Sequence, residues 1–582
     1  MADITPYTGL LGERLAAHLL RRATFGPTKA DIINFATKTP SQAMAILLTN
    51  APITTKPIDP MTQTTWVDSI APGSSIGHSD DTFLRFMVVS WFSENLRIGN
   101  TIRSKMLLFL HQNWIITLEA LGGNSSFYFY DYLKLLEFYH VGSYKTLAKK
   151  MCRDNAMLVF LNGNDNNRII GSYPFVDNDK IPNENFAREF FELFTIGKGP
   201  QTTPGNYTNY TEEDIKAAAK VLSGYKIIDQ YNLPNNAIDL IDPVTGIRQC
   251  QVGPTIVTYQ TNGHFFGPKV FSAAFGNITI NATPTEAANT VANMGIELDQ
   301  FIDMVFNKPE TAKNISRKLY RFFVQRNINA DVEANIIAPL ATTLQNNNYN
   351  LNMAVSQLLQ SKHFYDLDDT NATNNRIGAI IKSPLDLMLH TLRFFNLSPF
   401  TLHPSNSSAD SYAVWSEFYN NSLRNYFCKT ADMNVFDPPN VAGYAGYYLA
   451  PKYDRNWFGT SSITQRYYIG HCLLENKKQP FGYYQGDFGI QINIVAWVQA
   501  NISDPKNGNK VVDEMVNYLY LETLDTTRRT YFLNQVFLGN LSLMNWQVEW
   551  NNYIATNNDT VVRQRLEELF KTILFAQEFQ LM

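Results

Sequence analysis

Charge is what this sequence has least of. Asp, Glu, Lys and Arg make up 17% of its 582 residues, against roughly 25% in ordinary soluble domains. The polar surface must come from Asn, Thr, Ser and Gln, as in "NNNYNLN" and "TNATNNR". Net charge is −4, and no Lys/Arg run exceeds a few residues. Phosphate-backbone binding needs a dense basic face, so nucleic acid is excluded as the main partner. Cysteine is scarce too. Cys152, Cys250, Cys428 and Cys472 lie far apart with no CxxC, which supports neither a disulfide framework nor a Cys-rich zinc site and reads as buried thiols. There is no transmembrane segment, since no apolar run reaches the roughly 18 residues a span needs. The opening "MADITPYTGLLGERLAAHLLRRATFGP" lacks a basic n-region followed by an apolar h-region, so no classical export signal is predicted there. GxSxG, a Walker loop and GxGxxG in a strand–helix setting are also missing. "LNGNDNN" (161–167) lacks the Glu-terminated spacing of a calcium loop.

What is present is apolar and aromatic. Hydrophobic residues reach 45%, with 38 Phe and 30 Tyr. Such a chain can bury a sizeable core, and length alone allows roughly two to four folding units. An uncharged, Tyr-rich polar surface suits a secreted or cell-envelope protein facing carbohydrate. Helical periodicity dominates, from "GERLAAHLLRRATF" through "PETAKNISRKLYRFFV" to "VVRQRLEELFKTILFAQEFQ". It disappears between about 226 and 282, where "IRQCQVGPTIVTYQ" and "NITINAT" are β-branched. The predicted fold is mainly α. An N-terminal helical part (1–225), a β-hairpin-rich insert (226–282) and a C-terminal helical part (283–582) are expected to form one compact unit.

The densest polar stretch is "PNENFAREFFELFTIGKG" (182–199). On an α-helical wheel Glu184, Asn185, Arg188, Glu189 and Glu192 share an arc of about 140°, opposite Phe186, Phe190, Phe191 and Phe194. Glu184–Arg188 and Arg188–Glu192 are i,i+4 ion pairs, each worth roughly 0.2–0.5 kcal/mol on an exposed face. A salt-bridged outer face therefore explains the pattern. Paired carboxylates flanking an Arg also fit acid/base work, metal binding or the orientation of a sugar hydroxyl. His111, in "MLLFLHQNWII", is either a hydrogen-bonded core residue or a site residue. His264, in "TNGHFFGPKVF", lies among turn residues and is freer to act, or simply ends a strand. Residues 434–466 combine Asp437-Pro438-Pro439-Asn440 with Gly443 and Gly446, expected to permit positive φ, and with Tyr444, Tyr447, Tyr448, Tyr453 and Trp457. A rigid aromatic loop of this kind grips a sugar or peptide, or packs upon itself.

Taken together, these tracts resemble the DUF1800 family, uncharacterised bacterial proteins. The resemblance runs through "AAHLLRRATFGPT", "IRSKMLLFLHQNW", "MLVFLNGNDNNR", "PNENFAREFFELFTIGKGP", "HFFGPKVF" and "FDPPNVAGYAGYYLAPKYDRNWFGTSSITQR", the last in a Bacteroidetes-type form. Where the family often has Trp-His-Asn-His-Phe, this chain has Leu110-His111-Gln112-Asn113-Trp114. Where many members carry His-Asp, it has His264-Phe265. The resemblance implies altered chemistry if those missing groups act in relatives. It also implies a DUF1501-type protein partner at the cell envelope, since such proteins commonly accompany the family.

The expectation is a polar cleft that binds or acts on a surface glycan or sulfated polymer. Glu189 or Glu192 would supply acid/base chemistry, Arg188 would orient an anionic group, and His111 and His264 would assist. Asn183, Asn185, Asn113, Asp437, Asn440, Tyr444, Asp454, Arg455 and Trp457 would line it. No cofactor or metal is assigned. The alternatives are a non-catalytic surface assembly protein and a metal-dependent enzyme.

Overall fold

Helix starts are written into this sequence as capping boxes. Thr28, Thr211 and Ser383 each accept the backbone N–H three residues ahead, while the Asp there answers the cap's own N–H. The computed structural model describes residues 1–68, 80–121, 126–168, 181–227, 240–253, 263–370, 375–399, 414–478 and 486–582. These are mainly helical. A break at Gly99-Asn100 separates helix Asp81–Ile98 from helix Arg103–Asn113. The second of these is buried on nearly every residue, the polar Arg103, Ser104, Lys105, His111 and Asn113 included. Helix Pro309–Phe323 is amphipathic. Its Ala312, Ile315, Leu319 and Phe323 face the core, while Asn314, Lys318 and Arg321 lie off that face.

Among the described residues, sheet is confined to three antiparallel two-stranded pairs. Tyr225–Lys226 pairs with Gln251–Val252, and Lys269–Val270 pairs with Thr279–Ile280, within a residue of the predicted insert. The third pair, Gln201–Thr203 with Asn206–Tyr207, falls within the N-terminal helical part, between the 182–199 stretch and helix Glu212–Val221. Pro204-Gly205 turns the chain there, with Gly205 at φ +77°. Residues 254–262 of the expected strand tract lie outside the described residues.

One apolar cluster runs from Ala2 to Phe579. The early and late helical parts interlock: Arg21 donates to the Tyr518 carbonyl at 2.8 Å, and Lys29 pairs with Glu514 at 2.9 Å. All four cysteines are buried free thiols. Among the described residues, no helix is long and apolar enough to cross a membrane.

Candidate functional site

The polar stretch does not stay α-helical. Asn185–Glu189 is α-helix, and Phe190–Phe194 continues as a π turn. Aromatic packing accompanies the widened turn. Phe190 meets Phe301 at 5.1 Å, Phe191 stacks on Tyr210 and Phe275, and Phe194 lies 4.7 Å from Trp114. Such bulges concentrate at functional sites. The change of period corrects the wheel, because the Arg188–Glu192 pair does not form. Arg188 instead grips both oxygens of Glu212 at 2.7 and 2.8 Å, and Glu184 at 3.1 Å. Glu192 pairs with Lys198 and accepts from the Tyr210 hydroxyl at 3.3 Å.

Glu192 lines a cavity of about 200 Å³. The end of helix Arg103–Asn113 contributes Gln112 and Asn113, and the outer face of helix Pro309–Phe323 contributes Asn314, Lys318 and Arg321. Tyr447, Tyr448, Asp454 and Trp457 close it from the 441–457 loop. Asp437 anchors that loop, pairing with Arg424 and accepting from the Glu119 N–H at 2.8 Å. Gly443, at φ +99°, lets the loop press onto Ile115 and Gln112. Gly446 differs from expectation. It lies in the short helix Ala445–Tyr448, and a Cβ there would stand 2.2 Å from a Trp457 ring carbon. Its role is close approach, not positive φ.

Two of the cavity's cations are satisfied within the protein. Lys105 pairs with Asp386, and Arg326 meets Asp454 at 3.2 Å. Two others have no carboxylate within ion-pair distance among the described residues. Lys318 donates to the Leu193 carbonyl, and Arg321 lies 4.9 Å from the Tyr453 ring centre. Burial, then the charge of Arg321, pulls the Lys318 ammonium down to about 7. Burial, then the neighbouring Glu192, pushes the Glu189 carboxyl up to about 7.

Residues 18–581 match DUF1800, described as a protein of unknown function. The chain belongs to the DUF1800 family. No curated protein and no solved structure matches it.

The remaining predicted residues of this DUF1800 chain lie elsewhere. His111 is in the core, its Nδ1 2.8 Å from the Tyr132 hydroxyl and its ring edge-on to Phe436. Burial pulls its imidazole down to about 3, so it is neutral. His264 is buried as well, because Gly224 lets the neighbouring backbone close onto it. Its Nε2 lies 3.0 Å from Glu297, which also accepts from Lys269 at 2.6 Å and from the Thr283 hydroxyl at 2.7 Å. This network ties the β insert to helix Val291–Phe306. The Asn183 N–H donates to the Asn166 side-chain oxygen and its own side-chain oxygen accepts the Asn185 N–H, each at 3.0 Å, while the Asn185 amide donates to the Leu161 carbonyl at 3.2 Å. Asn440 donates to the Tyr448 hydroxyl at 2.9 Å, the Tyr444 hydroxyl donates to the Asn434 carbonyl, and Arg455 is exposed.

The structure thus brings Asn113, Glu192, Asp454 and Trp457 to one cavity and leaves the other named residues off its wall. It adds Gln112, Asn314, Lys318 and Arg321, and brings Tyr447, Tyr448 and Tyr453 of the aromatic loop to the same wall. Asn314, Lys318 and Arg321 follow i, i+4, i+7 spacing, a signal readable in "NISRKLYR". Among the described residues, no three His, Cys, Asp or Glu are grouped to hold a metal.

Proposed function

We propose that this DUF1800 protein binds a saccharide unit in the cavity beside Glu192 and acts on it there. The observation that carries the reading is the meeting of Asn113, Glu192 and Trp457 on one cavity wall, from three tracts well separated in the chain. A few amides and a carboxylate among aromatic rings are what a sugar site uses. The volume is below the roughly 300–1,000 Å³ of drug-sized sites, which matches one sugar residue better than a chain segment. Glu189 carries a proton near neutrality beside the ion-paired Glu192. A protonated carboxyl beside a carboxylate is a pairing suited to acid/base work. In this reading Glu192 reaches the substrate and Glu189 holds the proton behind it. An envelope location and a DUF1501-type partner belong to the same proposal.

The test is a panel of envelope mono- and oligosaccharides, read by saturation-transfer NMR for binding and by reducing-end release for cleavage. Wild type should bind, and Glu192→Gln should lose turnover while remaining folded. Silence of the wild type across the panel would overturn the reading.

A non-catalytic assembly role is the second reading. It is favoured by the closure within the fold of both charge networks, Glu184–Arg188–Glu212 and His264–Glu297–Lys269. Native mass spectrometry showing a stable assembly, with a silent saccharide panel, would select it.

A further inference from the structure

We infer that Lys318 and Arg321 form an oxyanion clamp, so that the ligand of this cavity carries a sulfate, phosphate or carboxylate group. The inference deepens the saccharide reading and rests on it for the location of the ligand, but the clamp has its own test.

The argument is one of charge compensation. Four cations line the cavity: Lys105, Lys318, Arg321 and Arg326. Asp386 answers Lys105 and Asp454 answers Arg326. Lys318 and Arg321 stand three residues apart on one helix, so their side chains are neighbours of like sign. Holding such a half-buried pair together without a counter-charge is costly, and apolar side chains of similar length would serve packing alone better. Glu192, on the same wall, does not supply the counter-charge, since it pairs with Lys198 and the Tyr210 hydroxyl. An anion entering from solution does.

The donor geometry points the same way. Lys318 gives one N–H to the Leu193 carbonyl, and an ammonium has three to give. Arg321 lies on the Tyr453 ring, which holds the planar guanidinium while its edge stays open to a two-oxygen acceptor. Its buried Nε has no protein partner. The Gln112 amide, buried on the same wall, has none at either end and offers a further donor. An arginine fork, an ammonium and an amide around one small space suit a tetrahedral or planar oxyanion far better than a neutral hydroxyl.

The test titrates the full chain with four probes: N-acetylglucosamine, N-acetylglucosamine 6-sulfate, glucuronic acid and inorganic sulfate. Calorimetry is run on wild type, Lys318→Met, Arg321→Gln and, as a surface control, Lys216→Met. The anionic sugars should bind wild type at least about tenfold more tightly than N-acetylglucosamine. Lys318→Met and Arg321→Gln should each erase that preference, and Lys216→Met should keep it. Should either cavity variant fail to melt cooperatively, salt on the wild type decides. Raising NaCl from about 0.05 to 0.5 M should weaken the anionic sugars and leave the neutral one unchanged. Equal binding of sulfated and neutral sugar overturns the clamp and leaves the saccharide reading standing. Sulfate binding that is lost in the variants, with no sugar bound, supports the clamp and overturns the saccharide reading. Absence of any anion binding overturns the clamp.

Discussion

The Lys318 ammonium donates to the main-chain carbonyl of Leu193, joining helix Pro309–Phe323 to the π turn that carries Glu192. This bond sets the cationic and acidic walls of the cavity against each other. It also places a lysine with a depressed pKa on the cavity wall, with no carboxylate of the described residues within ion-pair distance.

The first prediction concerns that lysine. Burial and Arg321 bring its ammonium down to about 7 from an ordinary 10.5. A base with a lowered folded pKa is charged below that value and neutral above it. Anion affinity should therefore fall as pH rises from about 6 to 8. Charged groups on the surrounding wall are Arg321, Arg326, Lys105, Glu192, Asp386 and Asp454. Reductive ¹³C-methylation followed by NMR titration should show one lysine with a midpoint near 7, moving upward in Arg321→Gln. A Lys318 midpoint in the ordinary lysine range would refute the assignment.

Glu189→Gln should stabilise the fold at alkaline pH. The folded carboxyl titrates at about 7 and the unfolded one near 4.5. The native state therefore binds the extra proton between those values, and stability falls as pH rises through that window. The full shift corresponds to roughly 3 kcal/mol; partial exposure and solvent screening reduce this to about 1–2 kcal/mol. Urea denaturation of wild type and variant should coincide near pH 4 and separate by that amount at pH 8.

Glu297→Gln should have the opposite effect. Burial pushes the Glu297 carboxyl up, but hydrogen bonds from His264 and Lys269 outweigh it and hold the group at about 2. A depressed carboxylate stabilises above its unfolded pKa, so this contribution fades as pH falls from about 4.5 towards 2. Neutralising it leaves Lys269 buried without its counter-charge, a loss of about 3–5 kcal/mol. Denaturant midpoints at pH 7 measure it. A change below about 1 kcal/mol would show that the network is not structural.

Gly446→Ala should damage the cavity wall. The added methyl would meet the Trp457 ring at 2.2 Å, forcing ring or loop to move at a cost of about 1–3 kcal/mol. Tryptophan fluorescence should shift and saccharide binding should fall together. A shift in emission with binding intact would separate Trp457 from the ligand.

Much of the fold was legible in the chain because its causes are local. Thr28, Thr211 and Ser383 cap helices through partners three residues away. The β-branched tracts around 251 and 279 pair as short strands. The candidate site was legible only in pieces. The wheel over 184–195 assumed a uniform α period, and the π turn at Phe190–Phe194 broke it, sending Arg188 to Glu212 and Glu192 to Lys198. Asn113, Glu192, Asp454 and Trp457 were named for their polarity or aromaticity, and they share a cavity. Lys318 and Arg321 were passed over because "ISRKLYRFF" reads as an ordinary amphipathic helix. Nothing in that string says whether its charged face meets water or another wall.

The sequence by itself determined membership of the DUF1800 family, the mainly helical class, the place of the β insert and which helix faces are apolar. Each depends on spacing within one segment. Tertiary structure alone decided which polar groups are spent on one another. His264 is closed off by Glu297 and Lys269, Arg188 by Glu184 and Glu212, while Lys318 and Arg321 face a cavity with no carboxylate of their own. The physical reason is that charge compensation acts through space, between residues that burial in one core brings together.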